Sequence, residues 1–255
     1  MKNLILVLVS IIFCSCAGVK IPKDSAMEDY FFISESKAST NSKWVVFLPG
    51  SSGLDIYEDT QHYFNQAKKL NENNLSVLLI DYKKAYKASG RKVKESTGEK
   101  INWTLGRAIT WVKRKNNLDK EKFALVGWSL AGEGLSSLLN DKSKLVEMGI
   151  EAVAMYYPSN QKDISVQSEL PVLIQTGSAD NVTTQKAIEK TFSKNTNTKI
   201  IIFENAHHGF DIQSLEEGKT IRLPPLVGKK YSMKYNEKAA KESSQNLIQF
   251  LKNNF

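Results

Sequence analysis

Residues 123–132, with the sequence FALVGWSLAG, constrain the possible folds more than any other stretch of the chain. The first four residues are apolar and indicate a short buried strand, and the residues that follow the serine have the pattern of a helix. Ser129 lies in the turn between them, where Gly127, Ala131 and Gly132 would allow strand and helix to pack closely. Such a turn can project a serine hydroxyl as a nucleophile, beside the free amides of the helix start. An ordinary turn that contains a serine is the alternative, so the interpretation depends on partners elsewhere.

Apolar strands alternate with helices along the rest of the chain. Strands are predicted at residues 30–33, 44–48, 77–81, 123–126, 152–156, 170–176 and 199–203, and helices at 60–71, 103–115, 130–139, 184–192 and 236–255. The segments 82–100 and 213–230 are predicted to be loops because they are polar and contain glycine or proline. This alternation indicates a mostly parallel sheet covered by helices on both faces. We therefore predict a single α/β domain over residues 30–255.

Composition excludes several classes of protein. A chain of 255 residues can form one α/β domain with a sizeable core. The formal net charge is +8, but the lysines are dispersed apart from a cluster in residues 83–100, so we expect a solvated basic surface and no nucleic-acid partner. The chain has two cysteines, Cys14 and Cys16, both near the N-terminus. A disulfide framework, a cysteine metal site and a cysteine nucleophile are therefore excluded from the main domain.

The N-terminus has the features of an export signal. A short positive start precedes the apolar run 4–13, which is too short to span a bilayer. Ser15 and Cys16 end this run and resemble a bacterial lipoprotein lipobox, with Cys16 as the lipidated residue. The residues before Ser15 are unusual for a lipobox, so an ordinary signal peptide is also open. We predict a signal at residues 1–18, a linker at 19–29, and an exported protein that is attached to the membrane through Cys16 or is periplasmic or secreted.

Two residues later in the chain are suited to act with Ser129. Asp180 and His208 each come shortly after a predicted strand, and the carboxyl ends of parallel strands meet at one edge of a sheet. Imidazole can take the proton of a serine hydroxyl near neutral pH. A carboxylate on the far ring nitrogen fixes the tautomer and stabilises the imidazolium. The chain order serine, aspartate, histidine is that of α/β hydrolases.

Other residues could fill the same roles. His207 is an alternative base, and Asp163 and Asp211 are alternative acids. Asp163 lies in a polar stretch, and Asp211 follows the histidines too closely to belong to another strand end. His62 is expected to lie on the surface of a helix, and Asp81 is expected to fix a turn.

From residue 44 to the C-terminus, the sequence resembles the dienelactone hydrolase-like branch of the α/β-hydrolase superfamily. The similar motifs are LPGS at 48–51, GWSLAG at 127–132, GSAD at 177–180, HGF at 208–210 and the closing segment YNEKAA at 235–240. The resemblance implies an α/β-hydrolase fold with about eight strands. It also implies a Ser129, His208 and Asp180 triad that cleaves esters or lactones without a metal or another cofactor. Because the family places its histidine directly before Gly-Phe, the resemblance favours His208 over His207.

The chain departs from this family pattern at three positions. Ser129 stands where the namesake enzymes have cysteine, Pro49 stands where many relatives have histidine, and Ala131 replaces the second glycine of the serine turn. The serine favours a broader esterase over an enzyme for dienelactones themselves, and the expected partner is a small-molecule acyl substrate. The backbone amides of Ser51 and Leu130 are the predicted oxyanion donors.

Two functions from different classes fit these features. The first is a serine hydrolase that forms an acyl-enzyme, with Trp128 lining the acyl site or packing in the core. The second is a catalytically inactive envelope protein that keeps the fold for binding or assembly. Retention of all three triad residue types favours the hydrolase.

Overall fold

A computed structural model describes five stretches of the chain. They are residues 25–37, 43–118, 121–159, 164–221 and 230–255. The predicted signal peptide with Cys16 and the alternative acid Asp163 lie outside these residues.

Seven strands form the main sheet of the described residues. They are β1 (Phe31–Ser34), β2 (Lys43–Leu48), β3 (Leu75–Ile80), β4 (Phe123–Trp128), β5 (Ile150–Tyr156), β6 (Val172–Gly177) and β7 (Thr198–Phe203). Their order is β1-β3-β2-β4-β5-β6-β7, with β1 antiparallel to β3 and every other pair parallel. The predicted mostly parallel sheet is therefore confirmed, with seven strands in place of about eight. Two further strands, β8 (Lys219–Ile221) and β9 (Tyr231–Met233), form a separate antiparallel pair.

Helices cover both faces of the main sheet. They are α1 (Ser25–Glu28), α2 (His62–Asn71), α3 (Tyr82–Ala88), α4 (Thr97–Asn116), α5 (Ala131–Leu139), α6 (Lys142–Met148), α7 (Gln185–Phe192) and α8 (Glu237–Asn254). Along β2, Val46 and Leu48 belong to one apolar core, and Val45 and Phe47 belong to the other. Residues of α1 and α3 to α7 pack in the first core, and those of α2 and α8 pack in the second. None of these helices is long and apolar enough to cross a membrane, within the residues described.

The prediction of a loop over residues 82–100 was wrong. Helix α3 begins directly after Asp81, whose side chain accepts a hydrogen bond from the amide of Lys84. Helix α4 begins at a capping box, in which Ser96 and Glu99 each accept a hydrogen bond from the other's backbone amide. These caps satisfy amides that have no partner inside the helix, so two helices form in a polar stretch.

Two other segments also differ from their predictions. The predicted linker 19–29 contains the short helix α1, in which Met27 is buried against the sheet. The predicted loop 213–230 begins with the 3₁₀ turn Gln213–Leu215 and continues into β8. Helix α1 has four residues and strand β8 has three, so neither is long enough for a hydrophobic periodicity to reveal it.

Candidate active site

Ser129 lies in a strained turn between β4 and α5. Its φ of 47° is in the left-handed region, which residues other than glycine rarely adopt. Three backbone hydrogen bonds hold the turn. The Ser129 amide donates to Tyr156 O at 3.0 Å, and Ser129 O accepts from the amides of Gly132 at 2.9 Å and Ser159 at 2.8 Å. The hydroxyl is therefore fixed at the carboxyl edge of the sheet, where the sequence predicted it.

The glycines beside this turn are needed for close packing. A Cβ on Gly127 would lie 2.5 Å from Leu135 Cδ1, and one on Gly132 would lie 2.5 Å from Pro158 Cβ. Gly127 thus lets α5 pack onto β4, and Gly132 lets the segment that follows β5 pass beside the helix. The methyl group of Ala131 is buried beside Gly127, which has no side chain, so an alanine fits at this position. The departure from the family pattern at Ala131 therefore leaves the turn intact.

The structure brings Ser129, His208 and Asp180 together. His208 Nε2 lies 2.9 Å from Ser129 Oγ, and His208 Nδ1 lies 2.8 Å from Asp180 Oδ2. The other carboxylate oxygen of Asp180 accepts hydrogen bonds from the amides of Val182 and Thr183, at 2.8 and 2.9 Å. With a proton on Nδ1 shared with the carboxylate, Nε2 is free to accept the serine proton.

The loops that carry the acid and the histidine are packed against each other. A Cβ on Gly177 would lie 1.9 Å from Ala206 O, so only glycine fits at that position. The Ala179 amide donates to Ala206 O at 3.0 Å, and the Asn205 amide donates to Ser178 Oγ at 2.9 Å. The GSAD segment therefore fixes the loop that precedes His208 as well as supplying Asp180.

His207 takes no part in this arrangement. Its side chain is half-buried, and its Nδ1 atom has no hydrogen-bond partner among the described residues. Asp81, the residue expected to fix a turn, caps α3 and also contacts the loop at Gly53, where a Cβ would lie 3.0 Å from the Asp81 carboxylate.

A second histidine–carboxylate pair lies beside the first. His62 is 5% exposed, so the prediction of a surface histidine was wrong. Its Nε2 atom lies 3.4 Å from Oδ2 of Asp211, which is also buried. The same carboxylate accepts hydrogen bonds from Tyr157 Oη at 2.5 Å and from Trp128 Nε1 at 2.9 Å. The histidine was missed because its partner lies 149 positions away in sequence, although it shares the buried face of α2 with Gln66.

This environment shifts two pKa values in opposite directions. Burial acts to raise the pKa of Asp211, but attraction to His62 and the hydrogen bonds from Tyr157 and Trp128 lower it overall. Burial, together with the charge of Asp211, raises the pKa of Tyr157 well above its usual value. Tyr157 is therefore a protonated donor to an ionised Asp211 near neutral pH.

The predicted oxyanion amides belong to residues that line the same cavity as Ser129. Gly50 donates its amide to Tyr63 Oη at 3.2 Å, and Gly53 donates to Gly50 O at 3.1 Å. The amides of Ser51 and Leu130, in contrast, have no acceptor within the described part of the chain. Both are therefore available to a ligand.

The cavity in front of Ser129 is small and mostly apolar. It has a volume of about 130 Å³ and is lined by Ile56, Tyr57, Val182 and Met233, among others. The Tyr57 hydroxyl lies 2.9 Å from Met233 Sδ at its edge. Trp128 lines the cavity and is also packed in the core. Among the described residues, no three histidine, cysteine, aspartate or glutamate side chains are grouped so that they could hold a metal ion.

The parallel sheet and the serine turn at its edge define an α/β hydrolase. Solved structures share this fold. A dienelactone hydrolase-like promiscuous phosphotriesterase from metagenomic libraries is 14% identical, with a TM-score of 0.65 over 88% of this chain and 92% of that one. Dienelactone hydrolase from Anabaena variabilis is 15% identical, with a TM-score of 0.60 over 88% and 91%. Esterase 2 of Thermogutta terrifontis, solved after phosphorylation by paraoxon, is 14% identical, with a TM-score of 0.57 over 87% of both chains.

A family comparison is more specific than these fold similarities. The model of the dienelactone hydrolase family matches residues 63–255. The chain therefore belongs to the dienelactone hydrolase family, and it is a hydrolase. No curated protein sequence matches it significantly.

Proposed function

We propose that this protein is a serine hydrolase that cleaves carboxylic esters, lactones or related acyl compounds. The observation that carries the proposal is the continuous hydrogen-bonded line from Ser129 Oγ through His208 to Asp180, with donor–acceptor distances of 2.9 and 2.8 Å. This line opens at Ser129 onto the cavity and ends at a carboxylate with a fully buried side chain. The arrangement has the parts that acyl transfer requires, which are a nucleophile, a base and an acid that orients the base.

The proposed mechanism follows from these contacts. Ser129 Oγ attacks the acyl carbon while its proton moves to His208 Nε2, and Asp180 stabilises the resulting imidazolium. The amides of Ser51 and Leu130 stabilise the oxyanion. His208 then gives its proton to the leaving oxygen, which departs as an alcohol and leaves an acyl-enzyme. A water molecule then attacks the acyl carbon and gives its proton to His208. His208 returns this proton to Ser129 Oγ as the carboxylic acid leaves.

The cavity favours short acyl groups as substrates. Pockets for drug-sized ligands have volumes of roughly 300–1,000 Å³, and a cavity of roughly 150 Å³ holds one benzene molecule. The cavity at Ser129, at about 130 Å³, is at the lower of these sizes. Apolar side chains such as those of Ile56, Val182 and Met233 line it, together with Ser52 and Ser159. An acyl group of about two to four carbons fits this volume better than a fatty acyl chain.

The test uses the purified domain without the predicted signal. A fluorophosphonate probe should label Ser129, as shown by peptide mass spectrometry, and p-nitrophenyl acetate and butyrate should be turned over faster than the octanoate. An inactive binding protein would neither label nor turn over any ester, and this result would overturn the proposal. Labelling with a preference for octanoate would overturn the assignment of short acyl groups alone.

We also propose export as a lipoprotein, with Cys16 carrying the lipid. The support is the apolar run that ends in Ser15 and Cys16. Intact-mass analysis of membrane fractions should show a chain that begins at Cys16 and carries acyl groups. A protein with Met1 retained would overturn the proposal of export, and cleavage after Ala17 without lipid would favour plain secretion.

A further inference from the structure

The buried carboxylate of Asp211 has no part in the proton transfer described above. It is nevertheless fully enclosed, and it accepts hydrogen bonds from Tyr157 Oη and Trp128 Nε1 while His62 Nε2 lies 3.4 Å away. Burying an ionised group is costly, and apolar side chains of similar volume often give equal or greater stability. Stability alone is therefore a weak explanation for a charged group at this place.

Both donors lie directly beside the reacting groups. Trp128 is the last residue of β4 and is bonded to Ser129 in the chain. Tyr157 follows β5, and its ring centroid lies 4.5 Å from that of His208. Asp211 itself lies three residues after His208, in a turn closed by the hydrogen bond from the Ile212 amide to Gly209 O at 3.0 Å. One carboxylate thus joins the histidine loop to the ends of two strands.

The backbone at Tyr157 is held in an unfavourable conformation. Its φ is 38°, which is unusual for an aromatic residue, and its amide donates to Gln175 O at 2.7 Å. Such strain persists where several surrounding contacts fix the backbone conformation, and it is concentrated at functional sites. Here the Tyr157 side chain is fixed at one end by Asp211 and presents its ring to His208.

We infer that Asp211 is a positioning residue for the hydrolysis, one that holds His208 over Ser129 through Tyr157 and Trp128. The inference rests on the proposed function. The Tyr157 ring limits the movement of the imidazole on one side, and the Trp128 indole fixes the strand end that carries the nucleophile. Because misplacement of reacting groups by about 1 Å can reduce a rate about 100-fold, loss of this anchor should affect the chemical step rather than substrate binding.

The test compares Asp211→Asn and Tyr157→Phe with the wild type, using the full domain and p-nitrophenyl acetate. We expect kcat to fall about 10- to 100-fold in Asp211→Asn and less in Tyr157→Phe, with KM nearly unchanged in both. The double variant should lose little more than Asp211→Asn alone, because both changes break the same connection. Circular dichroism and urea denaturation establish the folded fraction of each variant, and each kcat is calculated per folded molecule.

Thr104→Val is the control for the loss of a buried hydroxyl. Thr104 is fully buried on α4, and its hydroxyl donates to Lys100 O of the same helix at 2.8 Å. Its kcat should stay within about twofold of the wild type, as expected of a site that shares no described partner with Asp211. An equal fall in kcat in this control would overturn the inference, because buried hydroxyls in general would then be responsible.

The outcomes separate the inference from the function on which it rests. If the wild type neither labels with the fluorophosphonate probe nor turns over esters, the proposed function fails. If the wild type is active and either folded variant keeps wild-type kcat, the positioning role of Asp211 fails alone. A rise in KM with unchanged kcat would also overturn it, since substrate binding would then be the affected step. Should Asp211→Asn not fold, Tyr157→Phe decides the question.

Discussion

The molecule contains two buried histidine–carboxylate pairs that differ little in burial and greatly in their surroundings. In both the His208–Asp180 and the His62–Asp211 pair, the histidine side chain is 4% exposed and that of the aspartate is fully buried. The nitrogen–oxygen distance is 2.8 Å in the first pair and 3.4 Å in the second. Only the first has its second ring nitrogen against a hydroxyl at the edge of a cavity, namely Ser129 Oγ.

The other partners of the two carboxylates also differ. Asp180 accepts hydrogen bonds from two backbone amides of its own loop, which fix the acid locally. Asp211 accepts hydrogen bonds from side chains at two strand ends, so it joins distant parts of the chain. Burial and pairing with a carboxylate are therefore not sufficient to mark a histidine as a candidate base, and the serine hydroxyl on the far side of the His208 imidazole distinguishes the first pair.

The largest effect should come from removing Ser129, the proposed nucleophile that lies beside the first pair. We expect Ser129→Ala to abolish probe labelling and to reduce ester turnover by several orders of magnitude, and His208→Ala to lose about as much. The double variant should lose little more, because triad members act as a unit. Stability should change little, since alanine fits the turn. Steady-state kinetics on folded variants provide the measurement.

His207→Ala is the control for these variants, and its activity should be nearly that of the wild type. The side chain has no role in the hydrogen-bonded line from Ser129 to Asp180. Unchanged turnover in folded Ser129→Ala would refute the serine mechanism, and a large loss in His207→Ala would show that the wrong histidine was assigned.

The next largest effect should separate the two carboxylates. Asp180→Asn is expected to reduce kcat by about 10⁴-fold, because the amide permits the wrong tautomer of His208, as in the corresponding protease variant. The expected loss in Asp211→Asn is about 10- to 100-fold, since that residue acts only through its neighbours. Both variants are measured with the same ester at the same pH. Equal losses would contradict the distinction between the two pairs.

The three residues of the candidate site could be predicted from the sequence because they follow a general rule for parallel sheets. Ser129, Asp180 and His208 each come after an apolar run, and the carboxyl ends of the strands meet at one edge. The second pair obeys no such rule. His62 is the first residue of a helix, and the contact with Asp211 depends on how α2 packs against the histidine loop.

Some signals for the missed features were present in the sequence. The buried residues of α2 include His62, Tyr63, Gln66 and Ala67, and this helical spacing places His62 on the inner face. The start of α4 could have been recognised from Ser96 and Glu99, which have the spacing of a capping box. The strand β8 has three residues, and no local pattern identifies a strand of that length.

The smallest of these effects on activity should come from His62→Phe, which instead tests the second pair through stability. Attraction to His62 is one cause of the lowered pKa of Asp211 in the folded protein. A lowered folded pKa stabilises the protein above the unfolded pKa of aspartate, about 3.9, and this stability is lost as the pH falls through the folded value. Removal of His62 leaves burial opposed by the hydrogen bonds from Tyr157 and Trp128 alone, so the pKa of Asp211 should rise. The variant should therefore be less stable by about 1–3 kcal/mol at neutral pH, and the difference should shrink below about pH 4.

Urea denaturation of the wild type and His62→Phe from pH 7 to about pH 3 measures this difference, because the other carboxylates titrate alike in both proteins. His207→Ala again serves as the control. It removes a histidine that has no carboxylate partner among the described contacts, so its effect on the free energy of unfolding should not change over the acidic range. A difference between wild type and His62→Phe that stays constant down to pH 3 would show that His62 does not stabilise the ionised form of Asp211. The second pair would then be a packing contact between two polar side chains, and the contrast with His208 and Asp180 would be greater than the distances suggest.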